Sequence, residues 1–207
     1  VAFALLAQGE DWLAIDKPAG ISMHSEEEEA GLVVQASHQF ERPLWPVHRL
    51  DQVTSGILLL ATSAAGAARF GELFAQHKIH KTYLAQSGFK PKKKQGWIKG
   101  DMEKGRNGSW LLARTLTNPA ITYFTSHFDE KLQKRLFILT PKTGKTHQLR
   151  VAMKSLGAPI DGDSRYSGLP TDRTYLHAYQ LEWFDEPTQQ TLKLTCPPTL
   201  GLWATLL

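Results

Sequence analysis

His48-Arg49-Leu50-Asp51-Gln52-Val53-Thr54-Ser55-Gly56, followed at once by Ile57-Leu58-Leu59-Leu60-Ala61, is the stretch from which the rest of the chain is read. Ser55 to Thr62 is an apolar run of strand length with almost no polar residue, so both of its faces must be covered, which sets it centrally in a sheet. The segment before it gathers a histidine, an arginine, a carboxylate and a glycine turn at the mouth of that strand. A carboxylate beside a guanidinium at the end of a buried strand suits acid–base or nucleophilic chemistry. The same residues also suit a hydrolase, a metal site or a salt bridge.

Working outward, Trp12 to Asp16 reads as a short buried strand that stops at the turn Lys17-Pro18-Ala19-Gly20. Gly31 to Phe40 has helical spacing. Ser63 is placed to cap a helix whose apolar stripe is Ala67, Phe70, Leu73 and Phe74. Strands are expected at Lys81–Ser87, Trp97–Lys99, Trp110–Arg114, Leu176–Phe184 and Thr191–Thr195. Ile121–Phe128 and Arg135–Thr140 read as a pair around the turn Asp129-Glu130-Lys131. Lys145 to Leu156 reads as a helix ended by Gly157. Strands outnumber helices and short turns join many of them, which predicts an α+β fold: a mixed, largely antiparallel central sheet flanked by helices. With no repeat or low-complexity linker, residues 1–207 are expected to form a single domain.

The composition narrows the class. The chain is 42% hydrophobic, 21% charged and carries a net charge of +4, ordinary figures for a globular protein. No apolar run is long enough to span a bilayer, and the start, Val1 to Ala7, lacks the cationic leader of a signal peptide. The lone Cys196 rules out an internal disulfide framework and suits a reducing compartment, so a cytoplasmic protein is expected. Residues 90 to 106 concentrate Lys90, Lys92, Lys93, Lys94, Lys99, Lys104 and Arg106 against Asp101 and Glu103, the footprint of a phosphate-backbone binder or of a solvated hairpin. The acidic run Glu26–Glu29 is expected to be a solvated loop tip. His48, His147 and His177 lack the short pairing of a zinc helix, so no metal is predicted.

The nine-residue core resembles the RluA family of RNA pseudouridine synthases. Other segments match in order: Asp16-Lys17-Pro18-Ala19-Gly20, Lys81-Thr82-Tyr83, Thr143-Gly144-Lys145-Thr146-His147-Gln148-Leu149-Arg150-Val151, Pro159 to Tyr166, and Leu176-His177-Ala178. The resemblance covers about positions 10 to 195. It departs at Ala152 and at Asp185-Glu186-Pro187, where members commonly carry histidine or a His-Pro pair, and those departures are expected to bear on substrate choice.

The resemblance implies the pseudouridine synthase catalytic fold with a cleft across its sheet, without an S4-like RNA-binding domain. It implies an isomerase that turns uridine in ribosomal or transfer RNA into pseudouridine. The N1–C1′ bond breaks, the base rotates, C5 joins C1′, and the C5 proton leaves. Asp51 would meet the sugar, either bonding to C1′ or removing the C2′ proton, as carboxylates do in glycosyl chemistry. Arg150 would keep that carboxylate charged, and Tyr83 would lie against the uracil and serve as base. Arg49 would fill the space left by the flipped base, with His48, Thr54, Lys81 and His147 binding substrate. No cofactor is implied. The expected partner is an RNA stem-loop, with no membrane, and the protein is expected to be a monomer. Two other readings are an inactive RNA-binding protein on the same fold and a carboxylate glycoside hydrolase. The second normally needs two acidic residues.

Overall fold

In a computed structural model of the protein, residues 2–25 and 31–199 are described, so the acidic run Glu26–Glu29 lies outside the described residues. In chain order the elements are β1 (Ala4–Gln8), β2 (Trp12–Lys17), α1 (Leu32–Gln39), β3 (Trp45–Pro46), β4 (Ser55–Ala61), α2 (Ala64–Ala75) and β5 (His80–Ser87). They continue with β6 (Gly96–Lys104), β7 (Trp110–Leu112), β8 (Pro119–Asp129), β9 (Lys134–Pro141), α3 (Gln148–Ser155), β10 (Leu176–Asp185) and β11 (Gln190–Thr195). The expected α+β class, antiparallel strands with flanking helices, is what forms. Among the described residues no helix is long and apolar enough to cross a membrane. The chain divides into two compact units.

The first unit runs to His80 and adds Ala178–Pro197. Its strands lie in the order β1-β2-β4-β10-β11, with β3 also pairing to β4. Every residue of β4 is buried, as its unbroken apolar sequence requires. Trp12, Ile57, Leu59, Phe70 and Trp183 pack as one cluster, with the Trp12 and Trp183 rings edge to face at 5.4 Å. Ser63 caps α2 as expected, its hydroxyl accepting from the Gly66 N–H at 3.0 Å. Burying the single side chain of Phe70 from this helix stabilises the unit by roughly 1.5–3 kcal/mol.

One departure from the family pattern has its explanation here. Asp185 is 2% exposed and accepts from Arg69 at 3.0 Å, from the Trp183 indole at 3.2 Å and from Thr188 at 2.8 Å. Arg69 in turn bridges to Asp11 at 2.7 Å. Asp185 thus joins β2's leading turn, α2 and β10. Ala152 is likewise buried, within α3. Neither of these two side chains reaches the surface, whereas Glu186 and Pro187 of the second departure are exposed.

The second unit runs from Lys81 to His177, with strands ordered β5-β9-β8-β6-β7, each pair antiparallel. The pairing of β8 with β9 spans Thr122↔Pro141 to Asp129↔Lys134, as the sequence turn predicts. Strand β6 is longer than expected. Its polar second half, unremarkable as a sequence pattern, pairs with β8 as far as Asp101 and with β7 from Met102 to Lys104.

Helix α3 starts at Gln148 and not at the expected Lys145, because His147 takes a left-handed backbone, φ 57°. Gln148 explains the delay. Its side-chain carbonyl accepts from the Lys145 N–H at 3.0 Å and the Thr143 hydroxyl at 2.7 Å, closing the preceding segment as a turn. Its amide donates to the Ile121 carbonyl at 3.1 Å and the Thr122 hydroxyl at 3.0 Å, fastening that turn to β8.

Candidate active site

In the first unit, Asp51 stands half-buried on the turn leading into β4, and its carbonyl accepts from the Thr54 N–H at 3.0 Å. The turn is tied down from beneath by Lys17, which is 0% exposed. The Lys17 ammonium donates to the carbonyls of Pro18 at 3.1 Å, Gln52 at 3.1 Å and Thr54 at 2.7 Å. Three acceptors use the three N–H groups of a protonated amine. The Gly20 N–H adds a 2.7 Å bond to the same Gln52 carbonyl. The segment Asp16-Lys17-Pro18 by itself assigns Lys17 no task. The signal was there: a lysine ending a buried strand needs acceptors, and a turn with three inward carbonyls supplies them.

Thr54 is buried in this turn and is engaged through its backbone. His48 accepts from the Leu59 N–H at 2.9 Å and stacks on Phe74 with centroids 4.6 Å apart, so its ring braces the turn against β4 and α2. Arg49 is exposed. Gly56, φ 114°, sits where a Cβ would run into the Ala178 carbonyl of β10, so only glycine lets these strands close at this point. The buried Cys196 thiol is pushed up to about 12 by burial and then by the nearby Asp16 carboxylate, which leaves it inert as a nucleophile.

In the second unit, Lys81 and Tyr83 are two residues apart on β5 and share one of its sides, both half-buried. The Lys81 ammonium lies beside Gly144, and burial lowers its pKa. From α3, Arg150 presents a guanidinium that is 5% exposed. Its Nε and Nη2 each donate at 2.9 Å to one oxygen of Asp163, a bidentate pair buried on both sides. The Tyr166 ring lies under the guanidinium, 5.2 Å from ring centroid to Cζ. The Tyr166 phenol accepts from the Trp110 N–H at 3.0 Å and bonds His147 Nδ1 at 2.7 Å. Burial foremost raises its pKa. His147 is therefore engaged with Tyr166, an arrangement its left-handed backbone allows.

Asp163, Tyr166 and Gln148 lie within the segments that resemble the family. Their task is to fix Arg150 and His147, which only tertiary contact reveals. Asp161, one residue beyond Gly162, does related work. It accepts from the Gly88 N–H at 3.0 Å, the Gln86 amide at 3.1 Å and Lys134 at 2.8 Å. Gly162, φ 82°, leaves no room for a Cβ beside the Arg173 carbonyl, so the two carboxylates diverge from a glycine-only corner.

The first unit thus carries Asp51, Thr54 and His48, and the second carries Lys81, Tyr83, His147 and Arg150. The first set is a carboxylate on a fixed turn. The second holds a half-buried phenol on β5 and, on α3, a guanidinium oriented by Asp163.

Comparison with known proteins identifies the family. Residues 11–155 match the family pattern described as RNA pseudouridylate synthase. An uncharacterized RNA pseudouridine synthase of Haemophilus influenzae is 56% identical over 198 residues, covering 94% of this chain and 87% of that protein. A tRNA pseudouridine synthase C of Haemophilus ducreyi is 33% identical over 192 residues, covering 82% of this chain and 76% of its own length. Human RNA pseudouridylate synthase domain containing 1 superposes with a TM-score of 0.81 at 22% identity, covering 98% of this chain and 86% of that one, which shows the shared fold. The chain is a member of the RluA-like family of RNA pseudouridine synthases, RNA-binding isomerases.

Proposed function

We propose that this protein isomerises a specific uridine in a stem-loop of ribosomal or transfer RNA, with Asp51 as the residue that attacks the nucleotide. The observation that carries the reading is the turn of Asp51: a half-buried carboxylate on a backbone held by a fully buried lysine. Such rigidity costs an ammonium's desolvation and is explained by a need to hold one carboxylate in place.

Asp51 works at the ribose, either as the nucleophile at C1′ or as the base at C2′. Breaking the N1–C1′ bond leaves the electron pair on uracil, which rotates and returns it from C5 to C1′. The C5 proton then leaves and N1 gains one, so the atoms balance without a cofactor. Arg150 acts by orienting the reacting groups, a role that its chelation by Asp163 supports, because Asp163 offsets much of its net charge. Tyr83 lies against the uracil and takes the C5 proton, directly or through water. Arg49, exposed and long, occupies the gap left in the RNA stack. Lys81 meets phosphate, and Thr54, His48 and His147 shape the pocket wall. The tRNA named for the Haemophilus ducreyi relative fits the transfer-RNA arm of this reading.

Asp51→Asn tests it. Tritium release from RNA labelled at uridine C5 should fall to background while the melting temperature is kept. Wild-type release by that variant would overturn the assignment. Mapping pseudouridines in cells with and without the gene identifies the uridine.

A further inference from the structure

At the far end of β5 from Tyr83 the second unit carries a cleft of about 270 Å³. Phe89 and Phe128 form its apolar walls, and Lys90, Lys94 and Arg135 are cations along it. The two phenylalanines are 38% and 42% exposed. Ser87, also in the lining, is four residues beyond Tyr83 and on the same face of the strand, roughly 13 Å away along it. A volume just under the ~300–1,000 Å³ range of drug-sized sites suits one planar ring.

The cleft is built rather than incidental. The Ser87 hydroxyl donates to the Pro159 carbonyl at 2.8 Å and accepts the Phe89 N–H at 3.1 Å, which fixes the backbone that carries Phe89. Asp161 holds the adjoining Gly88 N–H. On the opposite side the Ser126 hydroxyl bonds the Lys94 carbonyl and accepts from Arg135 at 3.0 Å, and Arg135 leans over the Phe128 ring at 5.7 Å. Two open aromatic rings on a secured backbone, ringed by cations, match the chemistry of one nucleobase and its phosphates. An acidic protein segment would match the cations but gives no use for two open rings.

We propose that this cleft is a second RNA-binding site. It takes an unpaired base of the substrate RNA against Phe89 and Phe128, and the flanking phosphates meet Lys90, Lys94 and Arg135. The site rests on the RNA-binding reading of the family but not on the Asp51 chemistry. It gives a use to the amino-terminal part of the lysine-rich segment that the catalytic site does not employ.

The test uses the full chain and two fluorescein-labelled ten-mers, oligouridine and its abasic backbone. The wild type should prefer oligouridine. Phe89→Ala/Phe128→Ala should weaken oligouridine binding by roughly tenfold and leave abasic binding unchanged. Lys90→Gln/Lys94→Gln should weaken both and reduce the salt slope by about 1.4. A 5-iodouridine oligomer should photocrosslink to Phe89 or Phe128. Both rings are exposed, so an unchanged melting temperature verifies folding. Full oligouridine affinity in the phenylalanine variant, or crosslinks confined to Tyr83 or Trp97, overturns the proposal. Tritium release by Asp51→Asn judges the catalytic reading separately, since neither binding assay needs turnover.

Discussion

Replacing Lys17 with methionine removes the ammonium beneath the turn that presents Asp51 while keeping nearly the same side-chain length. Three carbonyls lose a donor: Pro18, Gln52 and Thr54. Gln52 keeps the Gly20 N–H, so two carbonyls are left short of a partner. At about 1–3 kcal/mol for each unsatisfied buried group, the gross loss is about 2–6 kcal/mol. Relief of the ammonium's desolvation offsets part of it, and the expected net destabilisation is about 2–4 kcal/mol. Urea unfolding followed by circular dichroism would show a lower midpoint with an unchanged slope. Turnover should fall more than stability explains, because a loosened turn misplaces Asp51 by fractions of an ångström, to which catalysis is sensitive. The assay is single-turnover tritium release at a temperature where the variant is folded. A variant with wild-type midpoint and wild-type rate would refute the view that Lys17 fixes this turn.

Asp163→Asn leaves the buried Arg150 without its bidentate partner, and should cost about 3–5 kcal/mol along with most turnover, read by thermal melts and tritium release. Burial works to raise the Asp185 carboxyl, but hydrogen bonds from Thr188, Trp183 and Arg69 outweigh it and hold its pKa below the ordinary value. Its contribution is therefore present above the unfolded carboxylate range and lost as pH falls through the lower folded value. The gap in urea midpoint between wild type and Asp185→Asn should accordingly be full at pH 7 and close progressively below about pH 4. Lys81, its pKa lowered by burial, sheds its proton sooner as pH rises. RNA affinity should then decline at a lower pH in the wild type than in Lys81→Arg, measured by anisotropy.

The sheet was legible where sequence pattern and burial coincide. The unbroken apolar run at Ile57–Ala61 could be little other than a central strand, and Ser63 ahead of an apolar stripe announced α2. The start of α3 was not legible, because residues 145–147 have acceptable helix propensity and only the long-range bonds of Gln148 to β8 stop them joining. The second half of β6 was hidden for the same reason, being polar and held by its neighbours. In the site, the candidates Asp51, Tyr83 and Arg150 stood out by type and motif. Those that hold them did not: Lys17, Asp163 and Tyr166 act through partners 35, 13 and 19 residues away. No local spacing rule reaches that far.

Asp161 and Asp163 make the corner at Gly162 a rocker with two arms. One arm grips Gly88 and Lys134 at the end of β5, and the other grips the guanidinium of Arg150. A glycine that admits no side chain makes the pivot short and stiff. Strain applied at Gly88 therefore has a direct mechanical route to the arginine of α3. With RNA seated in the proposed second site, an RNA too short to reach the end of β5 would leave that arm unloaded, and substrate length would then register at Arg150.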